Sequence, residues 1–496
     1  MERNECDVSG SPLRVPHSRK LVVALVLVIL AGSALIYSLQ SFSGRNAGTM
    51  NSVTVSTVSN LTEPGLTLLS VNGTQIVDRD GNIVVLRGVN LSGYEYSPPE
   101  WIHNESDFKT IASWGFNVIR LPISWENIEP RPGHYNEDYL RLIDQDIAWA
   151  KAYGIYVVLD MHEICWSSQF ASCNKGYSSG IPRWAVAIYQ DSVPGIQLML
   201  HDFYLGLGPN GTAPSPTNPS IEARFYAVWK YVAARYFNET NIAAYDVLNE
   251  PIQQDASLAD NATFTSQVLP AFYTHAISAI RTVDPNHICL WEGPTIVPIH
   301  LPNLIYSPHY PQGSSSVYDP GKFGQEINVL LDLSTRWNVP LFVGEWGMYA
   351  NASGIKEYIS DSLTVYDYES ISSTWWDYAR GNYPMDLFDT HGSPRQILVQ
   401  NIVRPFVRAA STEFHTITSL NSTNGVYDQS IQFQNENFSK PQRIVLISVP
   451  EGYSASLQSN GPEKEKLETQ FFVQSRTLMI SVSSSVSQIN LEYIPS

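Results

Sequence analysis

Short apolar runs separated by amphipathic stretches dominate residues 83–379. They are IVVLRGVNL (83–91), NVIRLPIS (117–124), YVVLDMH (156–162), IAAYDVLNEP (242–251), HICLWEGP (287–294), NLIYSPHYP (303–311), PLFVGEWG (340–347) and SSTWWDYA (372–379). Each begins apolar and ends polar or aromatic, as does a parallel strand buried on both faces whose C-terminal tip opens into a site. Between them, stretches such as EDYLRLIDQDIAWAKAYG carry apolar residues at helical spacing and close on a glycine, here Gly154. Eight such alternations predict an α/β fold, a (β/α)8 TIM barrel over residues 66–410. At its start, LTLLSVNGTQIVDRDGNIVVLRG carries Asn-Gly and Asp-Gly hairpin signals. After residue 410 the apolar period becomes two, in SIQFQ, QRIVLISV, TLMISVSSS and SQINLEYI, which predicts a small β-sandwich over 411–496. A packing domain and a carbohydrate-binding module both fit that segment.

The N-terminal pattern differs. Leu21 to Leu39 runs without a charge, long enough at about 1.5 Å per residue for a hydrocarbon core near 30 Å. Arg14, Arg19 and Lys20 precede it, so the positive-inside rule places residues 1–20 in the cytoplasm, 21–39 as a signal anchor and the remainder outside the cell. A cleaved signal peptide is the rival reading, with Ala31-Gly32-Ser33-Ala34 supplying small residues. Residues 40–65 have the Ser/Thr-rich composition of a stalk. Ten Asn-x-Ser/Thr triplets, from Asn60 to Asn437, all follow the apolar run, which favours a glycosylated exterior. Cys165 and Cys173 are the close cysteine pair on that side, open to a loop disulfide or to two free thiols.

Composition narrows the function. An apolar fraction of 43% with 16% charged residues excludes intrinsic disorder. The formal charge of -17 would repel a phosphate backbone, which argues against nucleic acid. No metal cluster or phosphate loop appears, so no cofactor is implied, and nothing addresses oligomeric state.

The chemistry of a TIM barrel gathers at the C-terminal tips of its strands. Those tips carry Arg120, His162, Asn249 with Glu250, Glu292, His309 with Tyr310, Glu345 and Trp376. Runs four and seven face one another across the mouth, so Glu250 and Glu345 can flank a sugar. Glycosidic cleavage needs one carboxylic acid for the leaving oxygen and one carboxylate for the anomeric carbon, about 5 to 5.5 Å apart when configuration is retained. Arg120 can keep a carboxylate ionised, Asn249 can bond a sugar hydroxyl, Tyr310 can hold the nucleophile and Trp376 can stack on a ring. Glu292 reads equally as structural or functional, and Asp246, four residues before Glu250, reads as a structural partner deeper in the barrel.

LRGVNLSG, GFNVIRLPISW, LDMH, LNEP, SPHY, GEWG and WWDY, in that order, resemble glycoside hydrolase family 5 of the clan-A retaining barrels. The resemblance implies that Glu250 is the acid/base and Glu345 the nucleophile. It also implies that Arg120, His162, Asn249, His309, Tyr310 and Trp376 form the substrate-binding remainder. ENIEPRPGHYNEDYLRLID, FYTHAISAIRTVDPNH and NIVRPFVRAA are similar to the endoglycoceramidase-related branch, whose members release an oligosaccharide from a glycolipid. LDMHEICWSSQF departs from that branch's acidic or glutamine-rich continuation after strand three. The expected function is therefore a membrane-anchored extracellular retaining β-glycosidase acting on glycolipid-like or oligosaccharide β-glycosides. An endo-β-glucanase or mannanase is one alternative, and an inactive sugar-binding or adhesion protein on the same barrel is another. The insertion after His162 places Trp184, Val186, Ile188, Ile196, Leu198, Met199, Leu200, Phe203 and Leu205 in one stretch. They serve either barrel packing or an apolar aglycone.

Overall fold

The computed structural model describes residues 53–54, 63–173, 178–216, 218–251, 261–293, 297–312, 316–434, 441–458 and 468–496. The expected cytoplasmic segment 1–20 and anchor 21–39 lie outside the described residues. Among the described residues, no helix is long and apolar enough to cross a membrane.

Eight parallel strands form the barrel: β1 (Arg87–Asn90), β2 (Val118–Ile123), β3 (Tyr156–Met161), β4 (Ile242–Asp246), β5 (Ile288–Trp291), β6 (Leu304–Tyr306), β7 (Phe342–Trp346) and β8 (Ser372–Trp375). The sheet runs β6-β5-β4-β3-β2-β1-β8-β7. Parallel bridges Tyr306–Leu341 and His309–Glu345 close it between β6 and β7. Alternation along each strand sorts the side chains. Val118, Val158, Ala244, Leu290, Ile305 and Phe342 fill the lower interior, while Ile119, Leu159, Tyr245, Trp291 and Trp375 pack outward under the helices. Strand period two therefore sends Arg120, Asp160, Asp246 and Glu292 inward, each two residues above an interior apolar side chain. At β1 the backbone of β2 comes so close that a Cβ on Gly88 would sit 1.7 Å from the Val118 carbonyl oxygen.

The run 83–91, expected as one barrel strand, is split. Ile83–Val84 joins a seven-stranded sheet with Ser70–Asn72, Gln75–Val77, Phe406–Ala410, Gln442–Ser448, Thr477–Ser483 and Glu468–Phe472. Asn117 makes the transfer possible, because its amide donates to the Val85 carbonyl and its oxygen accepts from the Arg87 N–H, both at 2.8 Å. A second antiparallel sheet comprises Val53–Thr54, Tyr453–Gln458, Gln488–Pro495, Val426–Phe433 and Phe414–Asn421. The two sheets share a core that includes Ile83, Val407, Ile431, Val445, Ile480 and Leu491. Val53–Thr54 lies within the segment expected as a stalk and pairs with Ser456 and Leu457.

The insertion after β3 is helical where it is most apolar. Val193–Tyr204 starts at the N-cap Ser192, whose hydroxyl accepts from the Gly195 N–H, and carries proline in its first turn. One face, Ile196, Met199, Leu200 and Phe203, enters the barrel's outer core. Val193, Leu198 and Leu205 are exposed, as is Ile188 just upstream. Cys165 and Cys173 are joined in a disulfide at the start of the insertion.

Candidate active site

Arg120 rises from β2 into the centre of the barrel and is 0% exposed. Its Nε donates to Asp246 at 2.9 Å and its Nη1 to Glu345 at 2.8 Å and Asn90 at 3.1 Å. Nη2 donates to Asn249 at 3.0 Å and Glu292 at 3.1 Å, and pairs with Asp160 at 3.1 Å. All three nitrogens are engaged by the protein. Arg120, expected among the substrate-binding residues, thus lies beneath them as the support for the carboxylates.

Glu345, at the tip of β7, is buried, with its second oxygen accepting from the Tyr310 hydroxyl at 2.7 Å. The preceding Gly344 leaves the space this needs, since a Cβ there would meet Ser307 Oγ at 2.7 Å and His309 Nε2 at 2.9 Å. Glu250 follows β4 and is the more open of the two, its side chain 38% exposed against 4% for Glu345. His309 stands between them, Nδ1 bonding Glu250 at 3.2 Å and lying 3.8 Å from Glu345. One oxygen from each glutamate and a His309 nitrogen all lie within 4.8 Å of one another. His162 bonds Asp160 at 2.7 Å and stacks on Trp376, ring centroids 5.3 Å apart. The eight candidate residues form one constellation.

Six carboxyls, Asp160, Asp246, Glu163, Glu250, Glu292 and Glu345, surround three bases, Arg120, His162 and His309, so protons must be kept on some of the acids. Burial raises Asp246 well above the carboxylate range, with Glu292 adding to it and Arg120 opposing. Burial likewise pushes Glu163 up to about 8. Burial would lower His162, but the Asp160 charge and hydrogen bond lift it to about 9. His309 goes up for the same reason, its burial outweighed by Glu292 and Glu345. Burial raises Glu345 against the opposing pull of His309 and Arg120. In Glu250, burial is outweighed by the His309 hydrogen bond and charge, leaving it low. These directions place a proton on His309, whose Nδ1 faces both glutamates, and leave Glu250 the more readily ionised of the two.

Glu292 was legible in the sequence only as ambiguous. Its Oε2 accepts from the Glu250 backbone N–H at 2.6 Å, while Oε1 lies 3.1 Å from both Arg120 Nη2 and His309 Nε2. Asp160, two residues before His162 and on the same strand face, was findable from alternation alone. Glu163 had no such signal, because it follows the end of β3.

A family model described as cellulase (glycosyl hydrolase family 5) matches residues 77–382. The chain belongs to glycosyl hydrolase family 5. As a family 5 member it is a glycoside hydrolase. It is 26% identical over 417 residues to an endoglycoceramidase of Cyanea nozakii, covering 71% of this chain and 78% of that one. It is 29% identical over 179 residues to endoglucanase C of Acetivibrio thermocellus, covering 34% of this chain and 41% of that one. Among solved structures, endo-glycoceramidase II from Rhodococcus sp. in its ganglioside GM3 complex matches with a TM-score of 0.65 at 21% identity, over 86% of this chain and 100% of that one. That likeness covers both the barrel and the antiparallel sheets.

Proposed function

We propose that this family 5 hydrolase cleaves β-glycosides of amphiphilic, glycolipid-like substrates by double displacement, with Glu345 as nucleophile and Glu250 as acid/base. The observation that carries the mechanism is the separation of the glutamates. Oxygens within 4.8 Å leave no room for the water that an inverting enzyme must hold between its carboxylates. Two donors, Arg120 Nη1 and Tyr310 OH, converge on separate oxygens of Glu345 and favour its ionised form. Glu345 attacks the anomeric carbon while the glycosidic oxygen takes a proton from Glu250 and leaves. Glu250 then removes a proton from water, which attacks the same carbon and frees Glu345. At rest Glu250 is held ionised beside a protonated His309, so the proton it passes to the glycosidic oxygen is drawn from His309 Nδ1 and returned when Glu250 deprotonates water. Trp376, held flat on His162, offers its ring to the sugar.

Two observations support an apolar aglycone. The endoglycoceramidase relative spans most of this chain, and Ile188, Val193, Leu198 and Leu205 stand exposed on the insertion that follows β3. Each CH₂ buried there would contribute about 0.8 kcal/mol. Anchoring through residues 21–39 at the cell surface, with the barrel outside, would hold the enzyme near such lipids. The endoglucanase match over 34% of this chain supports the second reading, a β-glucanase acting on polysaccharide. An inactive sugar binder has no need of two glutamates so supplied with donors.

Azide rescue tests the roles. Glu345→Ala with azide should yield an α-glycosyl azide from an activated β-glycoside, and Glu250→Ala a β-glycosyl azide; the opposite pairing would exchange the assignments. Alkyl β-glycosides of increasing length, kept below the micelle threshold, test the substrate. kcat/KM should rise with chain length, and Leu198→Glu with Val193→Glu should flatten that rise at unchanged Tm. Length-independent rates alongside efficient cutting of a soluble β-glucan would leave the polysaccharide reading standing.

A further inference from the structure

We propose that Glu292 is the positioning residue of the acid step, clamping the backbone of Glu250 and the far side of His309 so that the Glu250 carboxyl addresses the leaving oxygen. The inference rests on the acid/base role of Glu250 proposed above. Glu250 sits at φ +42°, a left-handed conformation that non-glycine residues adopt rarely, and it precedes Pro251, which further restricts its backbone. Such a conformation persists only where its surroundings hold it. The holding contact is a short hydrogen bond, in which the buried Glu292 Oε2 accepts the Glu250 N–H at 2.6 Å.

The same carboxylate faces His309, whose Nε2 lies 3.1 Å from Glu292 Oε1 and whose opposite nitrogen bonds Glu250. One side chain therefore fixes the acid through its main chain and, across an imidazole, through its carboxyl. Glu292 is anchored in turn by Tyr273, whose hydroxyl accepts from the Glu292 N–H at 3.1 Å and donates to the Leu248 carbonyl at 3.2 Å. Arg120 also touches Glu292, but it keeps Asp160, Asp246 and Glu345 as partners without it. Loss of Glu292 should consequently fall on the acid more than on the nucleophile.

A misplaced acid slows only those substrates whose leaving group needs a proton. The experiment is a leaving-group series, from dinitrophenyl through nitrophenyl to alkyl β-glycosides, on wild type, Glu292→Gln, Tyr273→Phe and Glu250→Ala. Glu292→Gln should lower kcat/KM about 100-fold for alkyl glycosides, the scale of general acid catalysis and of an ångström's misplacement, and less than about threefold for dinitrophenyl. Tyr273→Phe should show a shallower slope of the same sign, which preserves the test if Glu292→Gln fails to fold. Equal loss along the series in both folded variants, or no loss, overturns the proposal. If Glu250→Ala itself loses equally along the series, it is the acid/base assignment that fails, and the inference with it. A steep Glu250→Ala beside a flat Glu292→Gln sinks the inference alone.

Discussion

Glu163 and His162 are adjacent in sequence and respond to pH in the same sense. Burial raises the Glu163 carboxyl to about 8, so the fold favours its neutral form. That contribution is complete below the ordinary glutamate pKa and is lost as pH rises toward 8. His162, lifted to about 9 by Asp160 against its burial, adds stability that is complete below the ordinary histidine pKa and fades as pH rises through 9. Stability should thus fall from pH 5 to 8 with a slope of up to about 1.4 kcal/mol per pH unit from Glu163. Glu163→Gln, which keeps the shape and removes the titration, should flatten that slope and raise Tm at pH 8. Parallel Tm profiles for the two proteins between pH 5 and 8 would mean that Glu163 is ionised in the fold. At the same scale, one of the ten glycosylation triplets is excluded. Asn90 is 0% exposed, with its amide donating to the Gly344 carbonyl at 3.0 Å and its oxygen accepting from Arg120, so it carries no glycan.

The insertion after β3 is an element built from two devices. The Cys165–Cys173 disulfide closes a loop of sequence separation 8. Within that loop Trp166 is buried against Phe203 and Tyr204 of the Val193–Tyr204 helix, and its N–H donates to Glu163 at 2.6 Å. A Cys165→Ala, Cys173→Ala variant should lose about 2 to 3 kcal/mol by chain entropy. Chemical denaturation checks this, and a loss below about 0.5 kcal/mol would show that helix packing alone holds the insertion. Apolar residues were visible in the sequence of this helix, but their division was not. Ile196, Met199, Leu200 and Phe203 pack on the barrel, as the structural reading expected, while Val193, Leu198 and Leu205 remain outside it. The sequence shows an apolar helix, and only the docking direction separates its two faces.

At the scale of the whole molecule, the barrel and the sheets below it do not divide at one chain position. Residues 70–84 belong to the sandwich though they precede the barrel, and the chain enters β1 directly from that sheet. Across the joint, Arg408 donates to the Gly154 carbonyl at 2.9 Å and the Ser448 hydroxyl donates to the Gly115 carbonyl. A chain ending at residue 404 would expose Ile83 and Val85, which pack against Val407 and Val445 in the shared core. It should be recovered as aggregate, or with Tm lowered by more than 10 °C, whereas residues 63–496 should fold. A soluble truncated barrel with undiminished Tm would show that the two parts are independent.

Periodicity determined the eight strands, their parallel order and the tips at which chemistry gathers, because a barrel strand buried on both faces admits little but apolar side chains until it reaches the mouth. It also singled out Glu250 and Glu345, since carboxylates at such tips are too costly to desolvate without a partner or a task. What the pattern could not carry is which groups meet across the barrel. Arg120 as the shared support of four carboxylates, His309 between the two glutamates, and Glu292 on the Glu250 amide are contacts between residues 36 to 225 positions apart. Local spacing bears no information on them. Nor does it reveal that residues 83–84 leave the barrel for another sheet, because either sheet buries valine and isoleucine equally well. There the choice fell to Asn117, whose side chain satisfies the backbone groups that the departing strand leaves behind.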